Sequence, residues 1–247
     1  MSQPLDGAEP PFTRYQGPPS APPPSVAADL MARFRRMVTS PTEAFQPPLS
    51  MWVWLAPLIL LSLATFAQAM LSADLWVAEG LAANPDAAAA IQQMPTDKLA
   101  GMRVIMGVGG LAMTWVGYVV PALVFWFGLS FVFGGRTGFG AVLGVTAFTG
   151  LVMLPRDILL TLLRLHAGTI HIYTSPAVFA QPDQKVLIAL AEHLDIFALY
   201  RLVLLGLGFR SISGLRGKQT GWLVGMLWVL GAGLAAGMTL IGQKFGK

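Results

Sequence analysis

Long apolar stretches alternate with short polar segments along most of this chain. Five of them approach or exceed the roughly 20 residues that an α-helix needs to cross a hydrocarbon core about 30 Å thick. Because backbone groups in lipid must be satisfied internally, the pattern predicts an all-α membrane bundle with five transmembrane helices. The predicted spans are 51–71, 104–133, 139–165, 194–209 with an amphipathic lead-in from Val186, and 221–241.

In the second and third spans, we expect the helix to be bent or interrupted near a proline. The span 104–133 is longer than a bilayer requires, so we expect it to tilt or to bend at Pro121. The span 139–165 is interrupted by Pro155, Arg156 and Asp157. Between the first two spans, we expect residues 72–101 to form two short helices around the break at Asn84-Pro85.

An amphipathic segment precedes the first span. Within 26–38, apolar residues recur at spacings of four and three, at Val26, Leu30, Phe34 and Met37. Arg33, Arg35 and Arg36 make this a basic helix, which we expect to lie flat on an anionic membrane surface. Residues 40–43, Ser-Pro-Thr-Glu, fit a capping box and predict a second short helix.

These patterns divide the chain into three parts. Residues 1–25 are rich in proline and predict a disordered tail. Residues 26–48 form the amphipathic interfacial segment, and residues 49–243 form the membrane domain.

Composition supports membrane residence. Of 247 residues, 55% are hydrophobic and 11% are charged, and the mean hydropathy is +0.63. Soluble domains carry about 25% charged residues, so a soluble enzyme and a disordered chain are disfavoured and the lipid bilayer is the expected partner. The absence of cysteine excludes disulfides, thiolate metal sites and cysteine nucleophiles.

The distribution of charge predicts an orientation. The net charge is +4, but the sequence contains no basic run interleaved with aromatic residues. We therefore expect no nucleic acid as a partner. The predicted short loops on one side are the more basic, which favours a cytoplasmic N-terminus in the inner membrane, whereas Lys244 and Lys247 argue the other way. The basic residues on the predicted cytoplasmic side are Arg33, Arg35, Arg36, Arg136, Arg210, Arg216 and Lys218.

Ionisable residues within the third and fourth spans are the main candidates for chemistry, because charge inside a membrane is costly. They are Arg156, Asp157, Glu192, His193, Asp195 and Arg201. Glu192 and Asp195, three apart, are expected to share a helix face, and Asp157 is the expected partner of Arg201. The cluster fits a polar cavity for a proton, an ion or a lipid headgroup. It also fits structural contacts between helices, with Asp195 acting only as a helix cap.

Other motifs point away from cofactor chemistry. His166 and His171 are five apart and fall on different helix faces, so no metal site is predicted. A GxGxxA match at 107–112 follows no strand, and no nucleotide cofactor is predicted. Glycine pairs spaced by four predict close helix packing, within the chain or in a homo-oligomer. These pairs are Gly140 with Gly144, Gly221 with Gly225, and Gly233 with Gly237.

Two segments together resemble the bacterial Yip (Ypt-interacting protein) domain family. Residues 33–45, RFRRMVTSPTEAF, precede a first span that contains WLAPLILLSL. Residues 194–208, LDIFALYRLVLLGLG, are similar to a family signature through Asp195, Phe197, Tyr200, Leu204 and Gly208. The resemblance implies five spans, a cytoplasmic N-terminus and no catalytic residues. The family's eukaryotic link to Rab GTPases does not transfer to bacteria. Arg201 and the Arg156-Asp157 pair depart from the family pattern.

Two functions stay open. The leading hypothesis is a non-enzymatic scaffold or accessory subunit, with a membrane protein or a second copy as partner. The alternative is a transporter or lipid-handling protein that uses the polar cluster. A cavity lined by Asp157, Asp195 and Arg201 would favour the alternative, whereas tight pairing in a dry bundle would favour the scaffold.

Overall fold

The computed structural model describes residues 25–47, 49–83, 96–181 and 183–245. The described residues form α-helices and no strand, which confirms the predicted all-α class. The helices are α1 (Val26–Thr39), α2 (Pro41–Ala44), α3 (Trp52–Ala83), α4 (Thr96–Phe127), α5 (Phe139–Gly150), α6 (Met153–Ala167), α7 (Lys185–Glu192), α8 (Ile196–Ser213) and α9 (Gly217–Phe245). A π-helical turn, Gly128–Val132, extends α4, and a 3-10 turn, Pro176–Phe179, precedes α7. Of the predicted tail, residues 1–24 lie outside the described residues.

Five of the described helical segments are long and apolar enough to cross a membrane, which confirms the predicted number of spans. They are Trp52–Glu79, Ala100–Val132, Phe139–Ala167, Ile196–Ser213 and Gly217–Gln243. The backbone N–H of Arg136 donates to the carbonyl of Ser213 at 3.4 Å, so the loops 133–138 and 214–216 lie at the same end of the bundle. We call this end, which also carries α1 and α2, the N-terminal side.

Two spans differ from their predicted form. The prediction of two short helices within 72–101 is wrong where the structure describes it, because residues 72–83 continue α3 and residues 96–101 begin α4. The Asn84-Pro85 break lies outside the described residues. The third span is broken at Leu151 and Val152, four residues before the predicted position. Pro155 explains the shift, since a proline ring clashes with the carbonyl four residues earlier.

The fourth span begins at a helix cap. Asp195 has extended backbone angles, φ −65° and ψ 138°, and lies between the end of α7 and the start of α8. The expectation that Glu192 and Asp195 share one helix face is therefore wrong, because they belong to different elements. The Asp195 carboxylate accepts hydrogen bonds from the backbone N–H groups of Phe197 and Ala198, which otherwise lack partners within the helix.

The amphipathic helix α1 packs on the bundle through one of its arginines. Arg33 is only 8% exposed; it pairs with Asp29 at 2.9 Å and donates to the carbonyls of Ala44 and Gln46, both at 3.1 Å. Its predicted place on the membrane surface is therefore wrong. Carbonyls at the end of a helix and just beyond it lack helical hydrogen-bond donors. The Arg33 guanidinium donates to them here.

The other predictions for this segment have mixed outcomes. Arg35 and Arg36 are exposed, as a surface-facing helix requires. The predicted capping hydrogen bond of Ser40 does not form, although α2 does begin at Pro41.

The core surrounds α5 and includes Phe45, the residue that follows α2. Residues 142–150 of α5 are all buried. Phe45 and Phe148 meet edge to face at 6.2 Å between ring centroids, and both are at most 2% exposed. Gly208 on α8 permits this packing, because a Cβ there would lie 2.5 Å from Val145 and 3.1 Å from Phe45.

The glycine pairs predicted for helix packing contribute little within the chain. Among the described residues, an added Cβ at five of the six would have no neighbouring atom within 4 Å; these are Gly140, Gly221, Gly225, Gly233 and Gly237. At Gly144 the added Cβ would make an ordinary contact with Val53 at 3.6 Å. Close packing inside the chain is therefore wrong for these five, and their role in a homo-oligomer stays a prediction.

Candidate functional site

The predicted polar cluster separates into a network around Asp195 and two cavities. In this network, Asp195 is fully buried. Its Oδ2 lies 3.2 Å from Nε of Arg156 and accepts a hydrogen bond from Thr174. Nε of Arg156 also lies 3.3 Å from the Thr174 hydroxyl oxygen. This network ties α6 and the segment before α7 to the start of α8, so Arg156 and Asp195 have structural roles.

Asp157 and Arg201 border a cavity of about 460 Å³ between α3, α4, α6 and α8, which we call the polar cavity. The Asp157 side chain is 38% exposed, and its carboxylate lies 3.5 Å from the neighbouring Arg156 guanidinium. Further polar groups at this cavity are Thr65, Gln68, Thr114, Tyr118 and Thr161. An amphipathic molecule could therefore find both charges and hydrogen-bond partners here.

Arg201 contacts an aromatic ring in place of the carboxylate that the sequence predicts. Its guanidinium carbon lies 5.1 Å from the centroid of the Tyr118 ring, a distance typical of a cation–π interaction. Within the part of the chain that the structure describes, no carboxylate forms an ion pair with Arg201, and its buried Nε has no hydrogen-bond partner. The expected pair with Asp157 is therefore wrong in these residues.

Tyr118 is held in place by the end of α5. A Cβ added to Gly150 would lie 2.5 Å from Cε1 and 2.7 Å from Cζ of Tyr118. Only glycine gives the ring this room. Sequence reasoning missed both residues: a tyrosine in an apolar span was an available signal, whereas nothing local to Gly150 indicates its contact.

Arg201 also borders a second cavity, of about 600 Å³, between α4, α8 and α9. Glu192 and His193 line this cavity, and Nδ1 of His193 lies 2.9 Å from the carbonyl oxygen of Ala189. Gly117 borders both cavities with Arg201. The guanidinium therefore stands at the boundary between them.

An apolar groove of about 480 Å³ lies between α1, α3, α5 and α6. Phe34, Pro57 and Leu60 line it, and it shares Leu154 and Ile158 with the polar cavity. The groove and the polar cavity thus adjoin along the same pair of helices, α3 and α6. In the described residues, no three His, Cys, Asp or Glu side chains form a group that could hold a metal ion.

The two segments that carry the family resemblance meet in the structure. The Tyr200 hydroxyl donates to the carbonyl of Met37 at 2.7 Å, and the Ser211 hydroxyl donates to the carbonyl of Phe45 at 3.1 Å. Leu204 is fully buried, and Gly208 lies against Phe45. The shared residues therefore join α1 and α2 to α8.

Comparison with known proteins supports the family resemblance. Residues 35–238 match the Yip1 domain, and no curated protein or solved structure matches the chain. Since the match covers most of the chain, including both of the segments that meet, this multi-pass membrane protein belongs to the Yip1 domain family.

Proposed function

We propose that this protein binds and handles a membrane lipid, without catalysing a reaction, in the cleft between α3 and α6. The observation that carries the proposal is the junction of the polar cavity with the apolar groove at Leu154 and Ile158. A lipid needs both environments, one for its headgroup and one for an acyl chain. Asp157 and Arg201 lie at the polar end, whereas Asp195 is buried against Arg156.

The dimensions suit an acyl chain with part of a headgroup. On α3, the groove begins near Ala56 and the polar cavity ends near Leu71. Fifteen residues of helix span about 22 Å. Together the groove and cavity provide about 940 Å³, the sum of about 460 and about 480 Å³, which is in the range of ligand-binding cavities.

Tryptophan substitution in the groove tests this proposal. Leu60 lines the groove and is half-exposed, so Leu60→Trp fills the groove with little cost to packing. Ile59 is similarly exposed, and Ile59→Trp serves as the matched control on the same helix. With dioleoylglycerol as the probe in native mass spectrometry, we expect Leu60→Trp to lose bound lipid and Ile59→Trp to retain it. Equal binding by both variants would contradict the proposal.

We also propose that the protein lies in a bacterial inner membrane with its N-terminus in the cytoplasm. Exposed basic residues on the N-terminal side support this orientation under the positive-inside rule; they are Arg35, Arg36, Arg136, Arg210, Arg216 and Lys218. Two reporter enzymes can be fused after residue 216, one that is active only in the cytoplasm and one that is active only in the periplasm. We expect activity from the cytoplasmic reporter alone. Activity of a periplasmic reporter at this point would reverse the assignment.

A scaffold or accessory role remains the second candidate. The exposed end of α1 supports it, since Val38 is 72% exposed beside Arg35 and Arg36. A photo-crosslinking amino acid at position 38 should capture one defined protein partner if this end binds a protein. Adducts with lipid alone would assign this end to the membrane surface.

A further inference from the structure

We infer that Arg201 is the recognition site for the phosphate group of a phospholipid. The inference rests on the proposed lipid-handling function and names the chemical class of the ligand. It starts from the position of Arg201, five residues after the start of α8. At 1.5 Å per residue, the side chain is attached about 8 Å inside the span, where an unpaired guanidinium is costly.

Contacts within the protein offset only part of the cost of placing this guanidinium inside the span. Tyr118 contacts the guanidinium through its ring, which leaves the five N–H donors of the arginine unaffected as hydrogen-bond donors. The buried Nε has no partner among the described residues. Arg201 therefore retains donor capacity at a place where it borders both cavities.

The nearby carboxylates are engaged elsewhere or lie farther away. Asp195 is held by Arg156, Thr174 and the backbone of α8. Asp157 has Arg156 at 3.5 Å, and Glu192 forms no ion pair with Arg201 in the described residues. Among the described residues, no carboxylate lies within ion-pair distance of Arg201, so its donors are open to an anionic ligand.

A phosphate group matches this site best. Its oxygens accept two parallel hydrogen bonds from a guanidinium, which a compact ammonium cannot donate in the same geometry. The adjoining groove places an acyl chain on the other side of Leu154 and Ile158. A phospholipid fills both regions at once, whereas a free phosphate ion leaves the groove unused.

Asp157 sharpens the inference, because it lines the same cavity with the opposite charge. If the ligand presents only a phosphate, removal of the Asp157 charge leaves binding unchanged or strengthens it. If Asp157 binds a cationic part of the headgroup, its removal weakens binding. We assign the anionic interaction to Arg201 and no ligand contact to Asp157.

The test compares two lipids with identical acyl chains, dioleoylphosphatidylglycerol and dioleoylglycerol, by native mass spectrometry of the full chain. We expect the wild type to prefer the phospholipid. Arg201→Gln should reduce this preference about tenfold or more, as loss of a charged hydrogen-bond donor does. Arg201→Lys should have an intermediate effect, because it keeps the charge and loses the paired geometry.

The controls separate recognition from folding. Arg210→Gln makes the same change at an exposed position of α8 and should leave the preference unchanged. Retained binding of dioleoylglycerol by Arg201→Gln shows that its groove is intact, and if that variant fails to fold, Arg201→Lys decides. Asp157→Asn should bind the phospholipid at least as tightly as the wild type.

Three outcomes would overturn the inference. They are an unchanged lipid preference in both Arg201 variants, a loss of phospholipid binding in Asp157→Asn equal to that in Arg201→Gln, and displacement of the phospholipid by inorganic phosphate at matched concentration. The proposed lipid-handling function is contradicted by a different result, namely equal binding of dioleoylglycerol by Leu60→Trp and Ile59→Trp. The two proposals can therefore fail separately.

Discussion

Substitution of Gly150 by alanine tests whether Tyr118 holds Arg201. The added methyl group would lie 2.5 Å from Cε1 of Tyr118, well inside the 3.5 to 4.0 Å separation that carbon atoms prefer. Because Gly150 is buried at the end of α5, the tyrosine ring must move. Movement of the ring removes it from the Arg201 guanidinium, which is 5.1 Å from its centroid.

The expected cost combines two terms. Overpacking of a buried site costs about 1 to 3 kcal/mol, and a cation–π contact contributes about 0.5 to 2 kcal/mol, depending on its desolvation. Alanine has a higher helix propensity than glycine by up to about 1 kcal/mol, which offsets part of the loss. We therefore expect Gly150→Ala to lower the free energy of unfolding by about 1 to 3 kcal/mol.

The assay is equilibrium unfolding in detergent, with a double-mutant cycle. Gly140→Ala is the matched control, because Gly140 is at the other end of α5 and has no atom within 4 Å of an added Cβ. In a Tyr118→Ala background the ring is absent, so Gly150→Ala should cost no more than the control does. A similar cost with and without the ring would refute the proposed contact.

Three further substitutions test the packing of the bundle by thermal unfolding in detergent. Gly208→Ala should destabilise the protein by about 1 to 3 kcal/mol through overpacking, and Gly206→Ala, which meets no atom within 4 Å, should not; equal effects would contradict the contact. Asp195→Ala should cost more than Asp195→Asn, because asparagine still caps α8; the reverse order would count against the cap. Arg33→Ala should destabilise the protein and also speed amide hydrogen exchange in the Phe45 region, whereas Arg36→Ala, at an exposed position, should do neither. Equal exchange rates in the two variants would contradict the role of Arg33 in holding the end of α2.

The spans were predictable because apolar length is a local property. A run of about 20 apolar residues has few stable alternatives to a membrane helix, so all five were found. Their ends were harder to predict. Residues 72–83 extend α3 beyond the apolar run, since alanine-rich sequence continues a helix without regard to the membrane boundary.

Contacts between helices explain the failures at charged residues. Helical periodicity showed that α1 has a basic side, but it does not show that Arg33 meets the carbonyls at the end of α2. Arg201 needed a partner on another helix, and charge alone suggested Asp157. The ring of Tyr118 meets that need instead. The position of the ring depends on Gly150, which lies 51 positions before Arg201 in the chain.

The family signature and the polar cavity divide the protein by role. Tyr200, Leu204 and Gly208 carry the resemblance, and each is engaged in packing. Arg201, the next residue after Tyr200, borders both cavities. Because consecutive helical residues lie about 100° apart, one turn of α8 can bind α1 on one face and present a guanidinium on another. The packing of α8 on α1 therefore leaves position 201 free to meet the ligand that we propose.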